Sequence, residues 1–140
     1  MIWRHPRLIA HRCGGALAPE NTLAGLRKAA ELGYRAVEFD VMLSADGTPV
    51  LIHDETLERT TDGHGRVDET SDAELARLDA GSRHGAQFAG EPVPSFGDLI
   101  CRWAQARLMC SISSSVSCLP TSNSMPAYKS SVFSRTMTIS

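Results

Sequence analysis

The chain has 140 residues, which suits one domain with a useful core. Its formal net charge of −2 gives no case for nucleic acid or an anionic membrane as partner. No stretch approaches the roughly 18 apolar residues of a membrane span, and the basic start reaches no apolar run of signal-peptide length. We therefore expect a cytoplasmic protein without stable membrane insertion; its oligomeric state is not indicated.

The composition changes sharply near residue 98. All 16 acidic residues and all 11 glycines lie in residues 1–98, which carry a formal charge of −6. The last 42 residues carry +4, and 11 of the 31 residues from Cys110 onward are serine. The four cysteines form no C-x-x-C pair and lack zinc-like spacing with histidine. This break predicts a domain part at residues 1–109 and a serine-rich tail at residues 110–140 that is either disordered or translated out of frame.

The first elements predict a strand–helix–strand unit. Residues 8–10 are a short apolar run typical of a buried first strand. Asn21 or Thr22 is placed to cap a helix, and Gly33 is placed to stop it. Residues 36–43 alternate as a second strand. A connection of more than twenty residues favours a parallel pair and hence an α/β protein.

Further elements follow along the chain. Residues 45–47 predict a turn, and residues 49–52 a second extended run. Residues 70–74 open a short helix, and residues 108–112 suit a third buried strand. Ser95 is placed to cap another helix. The apolar positions of that helix, at helical spacing, are Phe96, Leu99, Ile100 and Trp103.

Charged side chains stand where the predicted strands end. His11 and Arg12 follow the first strand, Glu38 and Asp40 share one face of the second, and His53 follows the next extended run. In parallel α/β folds, ligands gather at the carboxyl ends of strands. The alternative is a half-exposed strand whose carboxylates form a structural bridge with the arginine.

These residue types suit phosphoester chemistry. Two histidines can serve as general acid and base near neutral pH, and Arg12 can hold a phosphate oxygen with its guanidinium fork. Glu38 and Asp40 can hold Mg²⁺ or Ca²⁺. Glu20, at a predicted helix start, is either a further site carboxylate or a capping group.

Several segments resemble the glycerophosphodiester phosphodiesterases, most closely the bacterial cytoplasmic form. They are H-R-C-G-G-A-L-A-P-E-N-T, V-E-F-D-V-M-L-S-A-D-G-T-P-V-L-I-H-D, L-E-R-T-T-D-G-H-G, L-D-A-G-S and F-A-G-E-P-V-P. The resemblance covers residues 8–109, in order and with the family's spacing. It implies the N-terminal part of a (β/α)₈ TIM barrel of the phospholipase C-like phosphodiesterase type, truncated in this chain.

The resemblance also implies an activity and its residues. The activity is hydrolysis of a small-molecule glycerophosphodiester to sn-glycerol 3-phosphate and an alcohol, with a divalent cation, Mg²⁺ or Ca²⁺. Carried over by position, His11 and His53 match the acid/base pair, and Arg12 matches the phosphate ligand. Glu38 and Asp40 match the metal ligands, and Glu20 matches the glutamate of the P-E-N-T segment.

Two departures from the family pattern stand out. The family usually has glycine where Cys13 stands, so a positive φ there would strain this residue. The family also carries an E-x-K-type segment after the third strand, where residues 110–115 read C-S-I-S-S-S. The missing glutamate would complete the metal site.

A frameshift would explain the second departure. One permitted set of codons for residues 110–115, read in a shifted frame, begins Leu-Asn-Ile-Glu-Phe, which restores a strand and its glutamate. We therefore predict that residues from about Cys110 are translated out of frame, which sequencing of the gene tests. About three strands of a barrel would then be present, so the alternative function is a non-catalytic fragment with residual cation or phosphate binding.

Overall fold

The computed structural model describes Pro6, residues 8–109 and residues 135–139. Its helices are α1 (Leu23–Glu31), α2 (Asp72–Leu75) and α3 (Phe96–Met109), its strands are β1 (Val37–Leu43), β2 (Pro49–Leu51) and β3 (Arg135–Ile139), and its 3₁₀ turns are His11–Cys13, Val67–Glu69 and Ala86–Phe88. Most of the predicted serine-rich tail lies outside the described residues, as does the segment at which we place the frameshift.

One three-stranded sheet, in the order β2-β1-β3, organises these elements. β1 pairs antiparallel with β2, with Val41 opposite Leu51, and antiparallel with β3, with Val37 opposite Ile139. The predicted turn at residues 45–47 joins β1 to β2 and is closed by a 3.0 Å hydrogen bond from the Gly47 amide to the Ser44 carbonyl. The predicted second strand and turn are confirmed.

The predicted parallel pair is present as a single bridge. Ala10 pairs in parallel with Val37, donating its amide to the Ala36 carbonyl and accepting from the Glu38 amide. Leu8 and Ile9 are exposed, so the prediction of a buried first strand is wrong for them. Leu8 is 73% exposed and Ile9 43% exposed, and the only residue of this run that pairs with β1 is Ala10 among the described residues.

α3 replaces part of the predicted third strand. The Ser95 hydroxyl accepts from the Asp98 amide at 3.1 Å, as predicted for a cap, and the helix then continues through Met109. Residues 108 and 109 are therefore helical, and residues 110–112 lie outside the described range. Leu99 and Trp103 are buried as predicted, whereas Ile100 is exposed on the outer side of the helix.

Two apolar clusters flank the sheet. The first joins α1, β1 and α3 and is built around Leu26, Phe39 and Leu99. The second lies under residues 55–94. Its buried members are Met42, Val50, Ile52, Leu57, Val67, Leu75, Ala80 and Val93. Because successive side chains of a strand point to opposite faces, Leu51 enters the first cluster and Val50 the second.

α1 is packed against the loop that follows Ala10. The Thr22 hydroxyl caps the helix by accepting from the Gly25 amide at 3.1 Å, which confirms one of the two predicted caps. A Cβ on Gly14 would lie 2.8 Å from the Gly25 carbonyl oxygen, so only glycine allows this close approach. The helix therefore fixes the position of the loop that carries His11 and Arg12.

Candidate active site

The loop after Ala10 adopts an unusual backbone conformation. Arg12 has φ 48° and Cys13 has φ 66°, both in the left-handed region that side chains rarely occupy. The Cys13 side chain is fully buried, and burial, together with the charges of Glu38 and Asp40, raises the pKa of its thiol to about 12. The sequence predicts backbone strain at Cys13 if its φ is positive, and its φ is positive.

Arg12 gathers three carboxylates. Its backbone amide donates to Glu38 Oε2 at 2.7 Å, its Nη1 donates to Glu20 Oε1 at 3.1 Å, and its Nε lies 3.5 Å from Asp40 Oδ2. Nε is buried and makes no hydrogen bond within the described part of the chain. The left-handed turn at Arg12 thus directs both its amide and its side chain toward carboxylates.

Asn21 holds Asp40 in place. Its amide nitrogen donates to Asp40 Oδ2 at 3.0 Å, while its Oδ1 accepts from the Asp40 backbone amide at 3.1 Å. Asn21 was considered from the sequence only as a helix cap. Its left-handed backbone, with φ 54°, turns the side chain toward β1 instead. Asparagine adopts this conformation more readily than most residues, which is the signal that the sequence offered.

Glu38 and Asp40 lie within β1, whereas the sequence placed them at a strand end. The strand continues to Leu43 because it pairs with β2 in a hairpin. They do share one face, as predicted, and both contact Arg12. The predicted convergence of these three residues is therefore present in the structure.

The two predicted catalytic histidines differ in their surroundings. His11 has 75% of its side chain exposed, and its Nε2 lies 3.9 Å from Glu38 Oε2. His53 follows β2 and is 41% exposed, and its Nδ1 lies 2.6 Å from Asp54 Oδ1. A histidine whose one nitrogen is engaged by a carboxylate keeps its other nitrogen for proton transfer.

Arg59 connects the carboxylates around Arg12 to the His53–Asp54 pair. It donates to both oxygens of Glu20, at 3.0 and 2.7 Å, and forks onto both oxygens of Asp54. Glu20 in turn accepts from Arg12. No local pattern in the sequence marks Arg59, because its contact with Glu20 joins residues 39 positions apart.

The ion pairs shift the pKa of both carboxyl groups that Arg59 contacts. Its hydrogen bonds lower the pKa of Asp54 to about 2, with the contact to His53 acting in the same direction. Burial acts to raise the pKa of Glu20, but hydrogen bonds and charge from Arg59 and Arg12 lower it overall. Both groups are therefore ionised at neutral pH.

An open cleft lies beside this network. It has a volume of about 150 Å³ and is lined in part by Glu20, Arg59, Arg83 and His84. Arg83 is held by donating its Nε to the Thr61 carbonyl at 2.5 Å. The site thus borders a space with cationic side chains on its wall.

The donor chemistry suits a hard divalent cation in part. Glu38 and Asp40 offer carboxylate oxygens, the ligands that Mg²⁺ and Ca²⁺ prefer. Four carboxylates in the network face two guanidinium groups, which leaves an excess of negative charge. Within the described ranges, however, no three histidine, cysteine or carboxylate side chains are grouped as a metal site. Glu38 and Asp40 supply carboxylate oxygens of the kind that such an ion takes.

The fold and the site define an α/β protein with an arginine ringed by carboxylates, flanked by two histidines. The family model for the glycerophosphoryl diester phosphodiesterase family matches residues 11–130. The chain belongs to that family, which confirms the resemblance inferred from its motifs. Across the described residues, no helix combines the length and apolar character needed to cross a bilayer.

Named relatives agree with this assignment. A glycerophosphodiester phosphodiesterase of Caldanaerobacter subterraneus subsp. tengcongensis is 48% identical over 88 residues, which are 63% of this chain and 36% of that protein. Glycerophosphodiester phosphodiesterase 1 of Bos taurus is 43% identical over 94 residues, 66% of this chain and 28% of that protein. The chain therefore spans about a third of these relatives.

Solved structures show the same relationship. A phosphodiesterase of Oleispira antarctica, in complex with the product sn-glycerol-3-phosphate, has a TM-score of 0.71 and 48% identity over 72% of this chain and 41% of that one. A glycerophosphodiester phosphodiesterase of Agrobacterium tumefaciens has a TM-score of 0.67 and 39% identity, covering 70% of this chain and 42% of that one.

Proposed function

We propose that this chain carries the N-terminal part of a phosphodiesterase site that hydrolyses glycerophosphodiesters to sn-glycerol 3-phosphate and an alcohol. The observation that carries the proposal is Arg12, which three carboxylates surround at the centre of the site. Family membership supports it, as does the relative that was solved with sn-glycerol-3-phosphate as its product.

Each residue of the site has a proposed role. Arg12 binds a phosphate oxygen through its guanidinium group. His11 and His53 act as general acid and base, one protonating the leaving alcohol and the other activating water. Glu20 holds Arg12 in orientation.

A divalent cation, Mg²⁺ or Ca²⁺, is part of the proposal. Glu38 and Asp40 would hold it, and it would supply charge stabilisation for the phosphate. Their shared face on β1 and the excess of carboxylates over guanidinium groups support this assignment. A cytoplasmic location stays a prediction.

The proposed whole is a (β/α)₈ barrel in which α1 and α3 are outer helices. The parallel bridge between Ala10 and Val37 supports it, whereas the antiparallel pairs that β1 makes with β2 and β3 would not all belong to the barrel sheet. A barrel of this kind takes roughly 250 residues. The activity is accordingly proposed for the complete barrel, formed by a longer protein or by pairing with a second half.

The alternative is a non-catalytic fragment with residual cation or phosphate binding. The observation that favours it is that both carboxylates of β1 already have a partner on Arg12, Glu38 through the backbone amide and Asp40 through the guanidinium group. In this case Glu38 and Asp40 pair with Arg12 as a structural bridge and catalyse nothing.

Release of glycerol 3-phosphate from glycerophosphocholine distinguishes the two functions. The protein is assayed with Mg²⁺, with Ca²⁺ and with chelator, and the variants His11→Ala and His64→Ala are compared. His64 is a matched control, since it is similarly exposed and its nearest carboxylate is Glu58, outside the site. Cation-dependent activity that His11→Ala removes and His64→Ala keeps supports hydrolysis. Because the activity is proposed for the complete barrel, the chain is assayed alone and mixed with a second half of the barrel. Folded protein that is inactive in both cases supports the alternative.

A further inference from the structure

The loop between Asp54 and Thr61 contains an arginine that the proposed mechanism does not use. We propose that Arg59 is a positioning residue, which clamps Asp54 and Glu20 together and thereby fixes the orientation and tautomer of His53. The catalytic consequence rests on the proposed function, whereas the effect on His53 rests on the geometry alone.

The first support is the geometry of the Arg59 guanidinium. Nε and Nη2 donate to the two oxygens of Asp54, while Nη1 and Nη2 donate to the two oxygens of Glu20. A planar fork engages a carboxylate through two parallel bonds, which fixes the plane of the carboxylate as well as its distance. Arg59 therefore orients two carboxylates from separate segments at once.

The second support is the hydrogen bond between Asp54 and His53. Its Oδ1, which accepts from Arg59 Nη2 at 3.0 Å, also lies 2.6 Å from His53 Nδ1. An ionised carboxylate can only accept, so the proton of neutral His53 lies on Nδ1. The other nitrogen, Nε2, is then the base, and it becomes the acid when the ring is protonated.

The third support is the rigidity of the turn that presents Arg59. Leu57 and Thr61, two residues to either side, are both buried. The Thr61 amide and hydroxyl both donate to the Leu57 carbonyl, at 3.0 and 2.7 Å. The backbone of Arg59 is thus fixed by packing although its side chain is 45% exposed.

A purely stabilising role would have a small effect. Exposed ion pairs contribute little to stability, and the side chain of Arg59 is nearly half exposed. Arg66 provides the comparison, because it is 37% exposed, forks onto Asp68 and also binds Glu55. None of these partners belongs to the site.

Arg59→Gln, Arg59→Lys and the control Arg66→Gln test the proposal in the full chain. The first readout is the His53 tautomer, from the ¹⁵N chemical shifts of its ring nitrogens. The Nδ1–H tautomer is expected in the starting protein and in Arg66→Gln. A mixture is expected in Arg59→Gln and in Arg59→Lys, since lysine keeps the charge without the fork. Unchanged folding is checked by circular dichroism.

The second readout is hydrolysis of glycerophosphocholine. Arg59→Gln is expected to lower kcat about tenfold to a hundredfold, the usual effect of losing a partner that orients a functional histidine, with Arg66→Gln unchanged. A His53 spectrum that is the same in all four proteins, or equal losses of kcat in Arg59→Gln and Arg66→Gln, overturns the proposal. A tautomer that depends on Arg59 in a protein without hydrolysis supports the positioning role and counts only against the proposed function.

Discussion

Two glycine-to-alanine substitutions in helices should have opposite effects on stability. Gly25 lies in the first turn of α1, and Gly97 in the first turn of α3. Glycine costs a helix up to about 1 kcal/mol relative to alanine, so on propensity alone both changes should stabilise the protein. The space around the two positions differs, so the two substitutions should change stability in opposite directions.

At Gly25 a new methyl group has no room. Its Cβ would lie 2.9 Å from the Pro19 carbonyl oxygen and 3.4 Å from the Cys13 Cβ, whereas at Gly97 the nearest atom, the Ser95 hydroxyl oxygen, is 3.5 Å away. Overpacking of this kind typically costs about 1–3 kcal/mol. Gly25→Ala should therefore be destabilised by up to about 2 kcal/mol after the gain in propensity. Gly97→Ala should gain up to about 1 kcal/mol.

Urea unfolding followed by circular dichroism gives both free energies of unfolding from one assay. The comparison controls for the intrinsic preference of alanine, because the substitution and the helical position are alike. A Gly25→Ala protein at least as stable as Gly97→Ala would refute the close packing of α1 against the His11–Cys13 turn. The same variant should also lose hydrolysis, since the displaced turn carries Arg12.

Three more substitutions test the cap, the phosphate ligand and an ion pair. Thr22→Ala should lose about 1 kcal/mol of stability in the same unfolding assay, because the Gly25 amide loses its acceptor. Arg12→Lys should raise the KM for glycerophosphocholine about tenfold to a hundredfold, since lysine cannot replace a charged two-point contact; an unchanged KM argues against phosphate binding there. Asp54 has its pKa lowered to about 2, so its stabilising contribution is complete above its unfolded pKa and lost as pH falls through about 2. The difference in unfolding free energy between the protein and Asp54→Asn should accordingly narrow below about pH 4, and a constant difference would contradict the ion pair.

Local patterns in the sequence were sufficient for the first residues of α1 and α3 and for the shared face of β1. Thr22 and Ser95 cap α1 and α3 because a hydroxyl oxygen just before a helix accepts a hydrogen bond from an otherwise unpaired amide of the first turn. Glu38 and Asp40 face Arg12 together because the period of a strand is two. Such features depend on neighbours along the chain, which the sequence displays directly.

Features that depend on contacts between residues far apart in the sequence were harder to predict from the sequence. Residues 108 and 109 continue a helix rather than beginning a strand, because a short apolar run does not distinguish the two. Asn21 and Arg59 contribute to the site through partners 19 and 39 residues away, and no local pattern marks either residue. The roles of His11, His53, Arg12, Glu38 and Asp40 stay proposals that the assays above test.

The second apolar cluster has a consequence for how such a site can change over time. Residues 55–94 carry their own buried side chains, including Leu57 and Val67, but the cluster also takes in Val50 of the sheet, and Glu91 accepts a hydrogen bond from the first turn of α1. Substitutions in the wall that holds Arg59 are therefore expected to reach the loop at Arg12, because Glu20 accepts from both arginines. We expect the two parts of the proposed site to change together during evolution.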